Sequence, residues 1–91
     1  MAISTTSLFT QVLSTTTFII DGSMGLRSAS FVLISGVGSF KGSKPIGGTL
    51  SQSIPLVIGQ SVTISADGVD SLDTLELDCS GGGVIHLIAK Q

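Results

Sequence analysis

The 91-residue chain has no tryptophan, no tyrosine, one histidine, one cysteine and two prolines. Each scarcity excludes something. A single Cys79 cannot close an internal disulfide, so no covalent staple offsets the small size. Without Trp or Tyr, the flat aromatic faces that sugar sites commonly use are missing. Four Lys and Arg, with a pI near 4.8, cannot neutralise a phosphate backbone, so no nucleic-acid partner is expected. The longest uninterrupted aliphatic or aromatic run is Phe31-Val32-Leu33-Ile34, far short of the roughly 18 residues of a membrane span, so no membrane partner is expected either. The first residues, Met1-Ala2-Ile3-Ser4-Thr5-Thr6, carry no basic n-region, and no Sec signal peptide is expected. Charged residues are only 11% of the chain, well under the roughly 25% of an ordinary soluble domain.

What is present points to strands. Hydrophobic residues make up 42% and mean hydropathy is +0.62, which excludes disorder. Polarity is carried by 24 Ser and Thr, and 12 Gly supply turns. The best helical window, Ser7 to Ser14, is flanked by Ser and Thr runs whose β-branched members suit helices poorly, so an extended segment is expected there. Beyond it, strands are expected at 16–20, 28–35, 37–41, 60–66, 74–79 and 84–89. A further strand near 50–58 is demoted to an edge or split by Pro55. Asp21-Gly22, Asp67-Gly68 and Gly81-Gly82-Gly83 mark turns. The expectation is one all-β domain, a compact antiparallel β-sandwich or barrel, jelly-roll-like, of seven to eight short strands over residues 16–91, preceded by an N-terminal extended segment or arm over 1–15.

Two kinds of strand stand out. In 61–66 and 74–79 apolar and polar residues alternate, with Val62, Ile64 and Ala66 opposite Ser61, Thr63 and Ser65, and Leu75, Leu77 and Cys79 opposite Thr74, Glu76 and Asp78. Segments 18–20, 31–34 and 84–88 are instead apolar on both faces, although a two-layer sandwich buries only one face of each sheet. Either the 1–15 segment folds back over the second face, or that face self-associates; both hold if the segment reaches a neighbouring subunit. The candidate interface residues are Leu8, Phe9, Val12, Leu13, Phe18, Phe31, Val32, Ile34, Val84 and Ile88. Five acids, Asp67, Asp70, Asp73, Glu76 and Asp78, fall within twelve positions, while Arg27, Lys41 and Lys44 lie in the first half. The acids either solvate turns and one strand face or meet basic patches on a neighbour.

Catalytic constellations fail one by one. His86 lies between Ile85 and Leu87 and shares a face with Val84 and Ile88 rather than with acids. Cys79 alternates inward with Leu75 and Leu77 as a small buried hydrophobe, so a Cys–His pair is not expected. Asp67, Asp70 and Asp73 recur every third residue, out of register with a calcium loop. The stretches 36–41 and 38–44 lack the third Gly of a dinucleotide fingerprint and the Lys of a phosphate loop, respectively. No catalytic, cofactor-binding or metal-binding residue is assigned, and no cofactor is expected. An exposed contact loop at Phe40, Lys41 and Lys44 is the one candidate for recognising a receptor or a carbohydrate; a small-molecule ligand is not expected.

The Ser/Thr-rich N-terminus, the stretch Gly25-Leu26-Arg27-Ser28-Ala29-Ser30-Phe31-Val32-Leu33-Ile34-Ser35-Gly36 and the ending Ser80-Gly81-Gly82-Gly83-Val84-Ile85-His86-Leu87 resemble short all-β structural proteins of tailed bacteriophages. The likeness covers most of the chain in style and length, without a diagnostic motif. It implies a virion location after synthesis in the host bacterial cytoplasm, and a non-enzymatic role as capsid decoration or cement, or as a head-fibre or tail component. The implied partners are the chain itself, as a homo-oligomer with a trimer among the options, and other virion proteins. The alternative is a receptor- or carbohydrate-binding β module or adhesin.

Overall fold

A computed structural model describes residues 8–42, 52–66, 72 and 74–91. Among the described residues eight strands form in chain order: β1 (Leu8–Ser14), β2 (Thr17–Ile20), β3 (Ser28–Ser35), β4 (Ser39–Gly42), β5 (Ile54–Pro55), β6 (Ser61–Ser65), β7 (Leu75–Asp78) and β8 (Val84–Lys90). A 3-10 turn, Gly22–Met24, follows β2; Asp21 caps it and Gly25, at φ 65, ends it.

The strands make two four-stranded antiparallel sheets, ordered β1-β8-β3-β6 and β2-β7-β4-β5. Every connection except β4 to β5 carries the chain from one sheet to the other, which is the winding of an eight-stranded jelly roll. The sandwich expectation therefore holds. The barrel alternative does not, because among the described residues no strand pairing joins one sheet to the other.

Leu8–Ser14 is extended, as its β-branched flanks suggested, but it is not an arm standing outside the domain. It pairs with β8 over seven consecutive residues, from Leu8↔Lys90 to Ser14↔Val84, so residues 8–14 belong to the sandwich that was expected from residue 16 onward. The physical reason is that β8 is apolar on its inner face and needs a partner on each side; β1 and β3 supply them. Residues 1–7 lie outside the described residues. Pro55 sits in a two-residue edge strand, where a missing N–H costs no ladder bond; the rest of that expected strand before residue 52 lies outside the described residues.

The core lies between the sheets. Leu13, Phe31, Leu33, Ile85 and Leu87 come from the first sheet, and Ile20, Leu75, Leu77 and Cys79 from the second sheet and its end. Leu26, Leu56 and Leu72 plug the connections. Two aromatic pairs clamp the layers: Phe9 of β1 stacks on Phe18 of β2 at 6.0 Å, and Phe31 of β3 meets Phe40 of β4 edge-on at 5.3 Å. Among the described residues no polar or charged residue is fully buried, so the core is held by apolar burial and packing alone.

At one end of the sandwich, backbone packs directly on backbone. A side-chain carbon at Gly36, where φ is 75, would stand 2.8 Å from Gly83 Cα, and one at Gly83 would stand 3.2 Å from Cys79 Cβ and overlap the Val37 carbonyl. Glycine at both positions lets the β3–β4 crossover lie against the β7–β8 turn. That turn is closed by the Gly82 and Gly83 amides, each donating to the Cys79 carbonyl at 3.0 Å.

Candidate assembly surface

The two outer faces differ in chemistry. On the second sheet, Lys41 of β4 lies directly across from Glu76 of β7, with 3.8 Å between Nζ and Oε2. Asp78 continues that face, with Thr17 on one side and Ser39 on the other. This acid–base pairing occurs within one chain and one sheet. Both side chains are partly exposed, so the pair is worth about 0–1 kcal/mol.

The outer face of the first sheet is built from register rows. Val12, His86, Val32 and Ser61 form one row across four strands; Thr10, Ile88, Ser30 and Thr63 form the next; Leu8, Lys90, Ser28 and Ser65 form the third. Four large apolar side chains stand exposed there or at its rim: Leu8 at 63%, Val12 at 61%, Ile88 at 54% and Ile34 at 43%. Val32 and Val84 are half-buried on the same side. Ile34 stands exposed where the β3–β8 register slips between Leu33 and Ser35. Polar relief comes from hydroxyls, with Ser30 Oγ and Thr63 Oγ1 in contact at 2.9 Å across β3 and β6. The only formal charge in the three rows is Lys90, at the end of β8.

Six of the ten expected interface residues thus fall on or beside one face: Leu8, Val12, Val32, Ile34, Val84 and Ile88. The other four do not. Leu13 and Phe31 are fully buried core, and Phe9 and Phe18 pack partly buried against it. The reason is the pleat: alternate residues of one strand point to opposite faces, so only one of each apolar pair reaches the surface.

Phe40 also departs from expectation. It lies half-buried against Phe31, turned inward between the outward Ser39 and Lys41, and is not an exposed contact. Lys41 is engaged with Glu76, and Lys44 lies outside the described residues. Alternation through Ser39-Phe40-Lys41 is the signal that places Phe40 inside.

The chemical groups do not converge. Cys79 is buried and its thiol donates to the Thr16 carbonyl at 3.3 Å. His86 is exposed between Val12 and Val32 on the outer face of the other sheet. Asp67, Asp70 and Asp73 lie outside the described residues, and among the described residues no three His, Cys, Asp or Glu side chains approach closely enough to hold a metal ion. Asp78 is held below the ordinary carboxylate range, first by the Ser80 hydroxyl at 2.6 Å, then by the Ser80 amide at 2.9 Å, with the Thr17 hydroxyl and Lys41 contributing less. Asp21 is lowered in the same way, chiefly by the hydroxyl and amide of Ser23. Both carboxylates fasten turns.

No protein-family model matches the chain, and neither curated proteins nor solved structures show a match to it.

Proposed function

We propose that this chain is a non-enzymatic structural protein of a bacteriophage virion, acting through protein–protein assembly as capsid decoration or cement, or as a head-fibre or tail component. The observation that carries the assembly reading is the first sheet's outer face. Exposed Leu8, Val12, Ile34 and Ile88 there surround half-buried Val32 and Val84, with almost no charge. Single exposed apolar residues are ordinary, but a set gathered on one sheet face supports a surface that another protein covers. The virion assignment rests on the resemblance in sequence style, and jelly rolls recur in viral capsid proteins as well as in lectins and cupins, a likeness at the level of fold only.

The test is particle composition. Quantitative mass spectrometry of purified virions should find the chain at a copy number set by capsid, vertex or tail symmetry. Ile88→Lys, which places a charge at the centre of the face without touching the core, should lower that copy number while the isolated protein stays folded. A chain missing from particles, or an Ile88→Lys chain incorporated as well as the parent, would count against the reading.

A further inference from the structure

Among the described residues the jelly roll has four sheet edges, and the strands that form them differ in how open they are to pairing. On the second sheet, β5 is two residues long and contains Pro55, and β2 is four residues long and runs into Asp21. On the first, β6 has five residues. The remaining edge, β1, runs for seven residues, Leu8-Phe9-Thr10-Gln11-Val12-Leu13-Ser14, with no proline and no charge. Long, uncharged edges without proline are those that natural sheets normally blunt, because their unpaired amides and carbonyls accept another strand.

The register shows which groups are open. Thr15, one step past the Ser14↔Val84 pair, donates its amide to the Gly83 carbonyl at 3.0 Å. In an antiparallel ladder, hydrogen-bonded pairs alternate with non-hydrogen-bonded ones. The backbone groups of Leu13, Gln11 and Phe9 therefore point to β8, and those of Ser14, Val12, Thr10 and Leu8 point to the open edge.

We propose that two copies of this chain pair antiparallel through β1, about a two-fold axis at Gln11, fusing their first sheets into one eight-stranded sheet. This rests on the assembly reading above and adds a second copy at the edge of that face, which stays open to a further partner. Full overlap places Leu8 opposite Ser14 of the second copy and Thr10 opposite Val12, so every outward amide and carbonyl finds its complement. Near the two-fold axis a charge would stand close to its own copy, so like charges there would oppose pairing; β1 carries none. The axis is perpendicular to the sheet, so both outer faces end on the same side and the Leu8, Val12 and Ile88 surfaces join into one apolar platform. Two seven-residue strands bury little beside the about 800 Å² per partner of a standard interface, so the dimer dissociates on dilution.

Sedimentation velocity across a concentration series, with amide hydrogen exchange, tests this. The parent chain should pass from monomer to dimer, and the Leu8, Thr10, Val12 and Ser14 amides should become protected as it does. Thr10→Pro removes an outward N–H that no described strand uses, a tolerated place for proline, and should raise the dimer dissociation constant about tenfold or more through two lost hydrogen bonds per dimer. Thr63→Pro, on the β6 edge, should leave dimerisation unchanged. If Thr10→Pro does not fold, exchange at the four amides of the parent chain decides alone. A trimer, an oligomer lost in Ile88→Lys but kept in Thr10→Pro, sensitivity to Thr63→Pro, or amides that exchange freely at every concentration would each overturn β1 pairing. Incorporation into particles decides the broader assembly reading separately.

Discussion

Phe31 and Val32 are adjacent and both apolar, yet the pleat gives them opposite fates. Phe31 is fully buried, touching Phe40 across the two layers, whereas Val32 is half-buried on the outer face. Truncating Phe31 to Ala removes a ring from a closed core and leaves a cavity, at a cost of about 3–5 kcal/mol. For a domain of this size each kcal/mol shifts the melting temperature by roughly 4–8 °C. Phe31→Ala should therefore lower it by more than about 12 °C, and Val32→Ala by only a few degrees. Equal shifts in a thermal melt would show that the face assignment is wrong. This pair also marks how far the residues could be read. A strand apolar on both faces announces that two surfaces will be covered, but it does not say which is core, because that depends on where the second sheet lies. Phe31 is expected at the interface for that reason, and Leu13 because it lies in the 1–15 segment read as an arm, whereas Cys79 and Leu77, in a strand with a polar alternate face, are legible as inward.

At the scale of elements, β3 appears at the expected bounds, Ser28–Ser35, since its β-rich run is closed by Gly36 at φ 75. The β7–β8 turn was equally legible in Gly81-Gly82-Gly83. Register was not, since pairings such as Val12↔His86↔Val32 join residues far apart in the chain and are set by tertiary packing. Nor was the role of Asp78, which ties β2 to the β7–β8 turn by accepting from Thr17, Ser80 Oγ and the Ser80 amide. Its folded pKa lies below its unfolded value, so the stability it contributes is complete above the ordinary carboxylate pKa, near about 4, and is lost as pH falls through the lower folded value. Asp78→Asn should accordingly melt below the parent protein at neutral pH, and the gap should shrink as pH is lowered toward 2. A gap that stays constant with pH would mean that the charge-assisted bonds contribute nothing to the fold.

Across the whole molecule, the first and last strands described are neighbours: β1 pairs with β8 along all seven of its residues. Because nearly every connection switches sheets, almost all pairings are non-local, and folding of such topologies is slow, on the order of milliseconds to seconds. It also makes β1 structural for the chain that carries it, whatever it does between copies. Deleting residues 1–14 would strip Phe18 of its stacking partner Phe9, remove Leu13 from the core and leave the seven-residue β8 as a bare edge with apolar Ile85 and Leu87 beneath it. A detachable arm predicts the opposite, a truncated domain as stable as the parent. The jelly-roll closure predicts a chain that loses cooperative unfolding or precipitates. Denaturant titration of the truncated chain, followed by far-ultraviolet circular dichroism, separates the two: a sigmoidal transition at the parental midpoint would return β1 to the status of an arm, and a broad or missing transition would make it the strand that closes the fold.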